Sequence, residues 1–103
     1  MPTPLTNGNF NKTIKSEKIA IVDFWAEWCA PCKAMSPVFK ELSKEIKKAK
    51  FFKVDVDENP EIASNIGIMN LPTTVIFKEG EEIHRIVGYQ GKERLKQEIN
   101  RFL

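Results

Sequence analysis

Hydrophobic positions along the chain fall into blocks of two different periods. From Lys18 to Ala26, "KIAIVDFWA" is a nearly continuous β-branched and aromatic run, which predicts a buried strand. From Cys29 onward Met35, Val38, Phe39, Leu42 and Ile46 recur at helical spacing with Lys and Glu between them, so an amphipathic helix follows. Pro37 lies inside that helix and predicts a kink, because it removes one backbone hydrogen bond. "FFKVDV" is the next strand pattern. "NPEIASNIG" supplies Asn59 as N-cap, Pro60 at the first helical position and Gly67 as a stop, which predicts a short helix. "TTVIF" and "EIHRIVG", joined by the turn "KEGE", read as an antiparallel hairpin. Leu95, Ile99 and Phe102 mark a closing amphipathic helix. Ahead of all these, "TNGNFNKTIKS" opens with turn residues and spaces Phe10 and Ile14 for a short helix. The order βαβ followed by ββα predicts an α/β fold, a sheet with helices on its faces.

No linker, repeat or low-complexity tract interrupts this pattern. The 103 residues predict one domain, 1–103, large enough to bury a core without staples. Sixteen Lys+Arg against fourteen Asp+Glu leave a formal charge of +2, too balanced to predict a nucleic-acid or anionic-membrane partner. No run approaches the roughly 20 apolar residues that span a bilayer. The opening "MPTPLTNGNF" lacks the basic and apolar regions of a signal peptide. The expectation is therefore a cytoplasmic protein, in a compartment where a purely structural disulfide is unusual.

That expectation sharpens the meaning of two cysteines spaced Cys-x-x-Cys where a strand ends and a helix begins. Helix N-termini expose unpaired N–H groups and the positive end of the macrodipole, which favour an anion. Cys29 at the helix mouth should therefore have a stabilised thiolate, and Cys32, one turn further in, should be more buried. Pro31 fits the first helical turn, where a missing N–H costs nothing. A zinc site wants four ligands, yet no second Cys pair exists and the single His84 is distant in sequence. A staple across so short a loop removes little chain entropy. A soft-metal carrier for Cu(I) would use the same thiolates, but Trp28 and Pro31 make the surroundings stiff and apolar. Dithiol redox chemistry, for which this spacing is a known signature, is the reading that fits.

Taken in order, "VDFWAEWCAPCK", "KVDVDENP", "GIMNLPTTVIFKEGE" and "VGYQGK" resemble the successive motifs of the thioredoxin family, from about Phe10 to the C-terminus. The resemblance implies a thioredoxin fold, a central mixed β-sheet flanked by helices in the order β-α-β-α-β-α-β-β-α. It implies a general protein disulfide reductase working through the redox-active pair Cys29–Cys32 with no other cofactor and no metal. Its partners would be disulfide-containing substrate proteins and a thioredoxin reductase, and the chain would act as a monomer. By the same resemblance Cys29 is the nucleophile and Cys32 the resolving thiol. Asp23 is the buried carboxylate that moves protons for Cys32, Lys53 is its partner, and Pro72 is a cis-proline facing the cysteines. Trp28, Leu71, Val87 and Gly88 form the surface on which substrate polypeptides dock.

Read without the resemblance, several of these are ordinary: Lys53 a solvated strand residue, Pro72 a strand start, Gly88 a strand-end glycine. Asp23 is the exception, since a carboxylate between Val22 and Phe24 is costly without a purpose. Two positions depart from the family pattern. Ala30 stands where Gly is common, and Pro2 and Pro4 suit the family's first strand poorly. "KELSKEIKKAK" reads as a solvated helix face on which Glu41 and Glu45 meet Lys44 and Lys48. "DVDEN" imitates the start of a calcium loop, but Pro60 occupies the position that needs Gly. His84 reads as a surface strand residue.

Overall fold

The computed structural model describes residues 2–103. The elements run β1 (Thr3–Pro4), α1 (Phe10–Ser16), β2 (Ile19–Trp25), α2 (Ala30–Glu45) and β3 (Lys50–Asp55). They continue with α3 (Pro60–Ile66), β4 (Thr73–Lys78), β5 (Glu81–Val87) and α4 (Lys92–Asn100). The five strands form one mixed sheet in the order β1-β3-β2-β4-β5. β2 at the centre is parallel to β3 and antiparallel to β4, and β5 pairs antiparallel with β4 at one edge.

Strand alternation divides the core in two, because successive side chains of a strand point to opposite faces. Ile19 and Ile21 of β2 pack with Met35, Phe39 and Leu42 of α2 and with Leu95 and Ile99 of α4. Ala20, Val22 and Phe24 face the other way, toward Phe10 and Ile14 of α1 and Ile62 of α3. Parity places Asp23 and Trp25 on the α2 face. Lys53 is the register partner of Asp23 on β3 and lies on that face too, two residues beyond Phe51.

Four local expectations are revised by tertiary contacts. The N-terminal prolines do not prevent a first strand: Thr3 and Pro4 pair in parallel with Phe52 and Lys53, and the Leu5 amide donates to the Lys53 carbonyl at 2.9 Å. An edge position leaves the missing Pro4 N–H without consequence. Glu41 and Glu45 turn from their own helix toward α4, where Lys92 Nζ lies 2.5 Å from Glu45 and 3.9 Å from Glu41, and Lys96 Nζ lies 3.2 Å from Glu45. Asn59 occupies the N-cap position of α3, but its side chain makes no cap bond. Its Oδ1 accepts from the Asn7 amide at 3.0 Å while Asn7 Oδ1 accepts from the Ile62 amide at 3.3 Å. His84 is half-buried rather than free, 3.0 Å from Glu98 and stacked on Phe102 at 4.4 Å between ring centres.

Candidate active site

The site begins where β2 ends. Cys29 is the N-cap of α2, and its Sγ accepts the Cys32 amide at 3.2 Å, one of the donors that a helix start leaves free. The Cys29 amide is satisfied by the Ala26 carbonyl at 3.1 Å, and the Cys29 carbonyl accepts from Lys33 at 3.2 Å. Ala30 is the first residue of α2 and exposed, and Pro31 follows it inside the first turn. The two cysteines form a disulfide with Cα atoms 5.3 Å apart. Both are buried, at 4 % and 2 % exposure, so Cys29 is less open than its place at the helix mouth predicts. Trp25, Val56 and Leu71 pack against the pair and supply the cover.

Behind Cys32 a cavity of about 140 Å³ is lined by Asp23, Trp25, Cys32, Ser36 and Lys53, with Glu27 and Lys33 also on its wall. Asp23 is 5 % exposed, and its Oδ1 and the Trp25 Nε1 are buried without a protein partner. Burial pushes the Asp23 carboxyl from 3.8 up to about 7, and the Lys53 charge opposes this without cancelling it. Lys53 Nζ lies 5.7 Å from the centre of the Trp25 ring, within cation–π reach. The structure thus brings together Cys29, Cys32, Asp23 and Lys53 from three elements.

In front of the cysteines lies an apolar face. Pro72 is buried and joined to Leu71 by a cis peptide bond. Leu71 is half-buried, Val87 is 51 % exposed, and Gly88 has φ 89°, which a side chain would strain. Trp28 is 71 % exposed but not loose, since its Nε1 donates to Asp57 Oδ2 at 2.8 Å. Trp28 shares a groove with Val56, Ala63, Ile68, Met69 and Leu71. Met69, at 87 % exposure, lines this groove, and Tyr89, at 48 %, follows Gly88 in the chain; both are exposed apolar side chains absent from the residues the sequence singled out. The available signal was their place outside any periodic block, since an apolar residue with no core period is free to serve a surface. Among the described residues no group of three or more His, Cys, Asp or Glu is gathered as a metal site.

A cysteine pair at a helix N-terminus, backed by a buried carboxylate and fronted by an apolar face, defines a protein disulfide oxidoreductase. The Thioredoxin family model matches residues 1–101. Thioredoxin from Alicyclobacillus acidocaldarius is 44 % identical over 96 residues, covering 92 % of this chain and 91 % of that protein. Thioredoxin from Staphylococcus haemolyticus is 43 % identical over 100 residues, covering 96 % and 95 %. The structure of Plasmodium falciparum thioredoxin superposes with a TM-score of 0.93 at 36 % identity, covering 98 % of this chain and 99 % of that one. The chain belongs to the thioredoxin family.

Proposed function

We propose that this chain is a general reductant of protein disulfides in which Cys29 is the nucleophile and Cys32 the resolving thiol. The observation that carries the assignment is the Cys29 Sγ held at the N-terminus of α2 by the Cys32 amide, while Cys32 shares a cavity with Asp23. In the reduced protein that amide and the helix dipole stabilise the Cys29 thiolate. The thiolate attacks one sulfur of a substrate disulfide, forms a mixed disulfide and expels the first substrate thiolate. Cys32 then loses its proton to Asp23 and attacks the Cys29 sulfur. The Cys29–Cys32 disulfide forms and the second substrate thiolate leaves, so two electrons pass to the substrate. A carboxyl titrating near 7 suits this transfer, because both its protonation states are accessible at neutral pH. Lys53 moderates its charge.

Trp28, Leu71, Pro72, Val87 and Gly88 form the docking face, and the exposed apolar area around them supports that reading. The dithiol itself carries the electrons, so no separate cofactor takes part. A thioredoxin reductase recharges the pair, and the protein works as a cytoplasmic monomeric single domain. No described helix is long and apolar enough to cross a membrane. The direct test is insulin reduction with dithiothreitol as electron source. The wild-type chain should accelerate insulin precipitation and Cys29→Ser should abolish the acceleration. A wild-type chain no faster than dithiothreitol alone would refute the reading.

A further inference from the structure

Both ends of the loop from Gly67 to Pro72, which carries Met69 and Leu71 into the docking groove, are tied to β5 or to the residue that follows it. At the far end the Gly88 amide donates to the Pro72 carbonyl at 2.7 Å. At the near end the Arg85 guanidinium donates to the Ile66 carbonyl at 2.8 Å and to the Gly67 carbonyl at 3.1 Å. These are carbonyls that the end of α3 leaves without helical partners. Glu82 in turn holds the guanidinium by two bonds, 2.6 Å to Nε and 2.7 Å to Nη2, so its plane is fixed from behind.

A bulge makes this possible. Residues three apart on a regular strand point to opposite faces. The β4–β5 register shifts between Ile76, paired with His84, and Phe77, paired with Glu82, so Ile83 is the extra residue. Glu82 and Arg85 thereby oppose Phe77 and Val75, which both belong to the core under α1 and α3. The bulge aims acid and base together at the end of α3.

We propose that Arg85 is a positioning residue for substrate docking, setting the start of the 67–72 loop so that Met69 and Leu71 form the groove beside Trp28. This rests on the docking face proposed above. Arg85 does not line the groove, and its guanidinium is spent on Glu82 and two carbonyls, so its loss should be felt by polypeptide substrates and not by a small aromatic disulfide that needs no groove. Lysine keeps the charge but cannot span two carbonyls and a carboxylate at once, so Arg85→Lys should resemble Arg85→Gln.

The test compares insulin and 5,5′-dithiobis(2-nitrobenzoate) as substrates for Arg85→Gln, Arg85→Lys, Glu82→Gln and, as a docking control, Trp28→Ala. KM for insulin should rise about threefold to tenfold in both Arg85 variants, and less in Glu82→Gln, with kcat and the small-disulfide rate held within about twofold. An unchanged insulin KM in the Arg85 variants, with a raised one in Trp28→Ala, overturns this inference and leaves the docking face standing. Unchanged KM in every variant overturns both. Insulin and small-disulfide rates that fall together also overturn it, because the effect would then lie on the dithiol.

Discussion

Cys29 and Cys32 are separated by one helical turn, and that turn sets their division of labour in the proposed reaction. Cys29 Sγ already receives a helix N–H, whereas Cys32 is 2 % exposed and lies against the cavity that holds Asp23. Cys32→Ser should therefore accumulate mixed disulfides through Cys29, because attack can begin but cannot be resolved. Cys29→Ser should accumulate none. Mass spectrometry of each variant with an excess of disulfide substrate reads the difference, and stable adducts on Cys32 would reverse the roles. The near-equal burial of the two sulfurs does not weaken this expectation. Polarity of the site, with the Cys32 N–H at one sulfur and the Asp23 carboxyl sharing a cavity with the other, separates them where exposure does not.

At the scale of elements, helices are finished by partners far away in the chain. The α3 start is served by Asn7, which links through its amide to Asn59 and through its Oδ1 to the Ile62 amide. Asn7→Ala should remove the second bond and lower stability by about 1 kcal/mol, in the range of a lost helix cap. A urea melt would detect this as a lowered midpoint at constant slope. An unchanged midpoint would mean that water replaces Asn7 without cost. The α2–α4 contact follows a similar logic. Hydrogen bonds from Lys92 and then Lys96 hold the Glu45 carboxyl below its ordinary value, and Glu45 raises Lys92 in return. These charges stand in water on two packed helices, so they orient α4 more than they stabilise it.

For the molecule as a whole, the buried carboxyl makes stability depend on pH. Between 3.8 and about 7 the folded chain keeps a proton on Asp23 that the unfolded chain has released. This protonation advantage is complete below the unfolded value and is lost as pH rises through about 7. Above that, the fold carries a charged group in a poorly solvated place. Asp23→Asn removes the charge and keeps the shape, so it should stabilise the protein by about 2–4 kcal/mol at pH 8, with little effect near pH 4. Turnover should slow in the same variant, specifically at the attack by Cys32. Denaturant melts and stopped-flow reduction across pH measure the two effects. A variant less stable at pH 8 and unimpaired in turnover would make Asp23 a plain structural carboxylate.

Helical periodicity, β-branched and aromatic runs, and the cap and stop residues of α3 together located four helices and the four longer strands, because each must bury a stripe or a face and the pattern is written in consecutive residues. The strand–turn–helix setting of Cys29 and Cys32 was legible for the same reason, and so was the anomaly of Asp23 within an apolar strand. Family resemblance named Lys53, Pro72 and the proposed docking residues, most of which composition and spacing do not distinguish from ordinary strand and turn positions. What stayed hidden depends on pairs distant in sequence: Asn7 with Asn59 and Ile62, Glu45 with Lys92, and Arg85 with the end of α3. The two-residue strand at Thr3–Pro4 is too short to show a period and exists because β3 offers it an edge. Local sequence determines which face a segment must bury. Only the packed sheet decides which exposed polar groups meet, because that depends on strand order, register and one extra residue at Ile83.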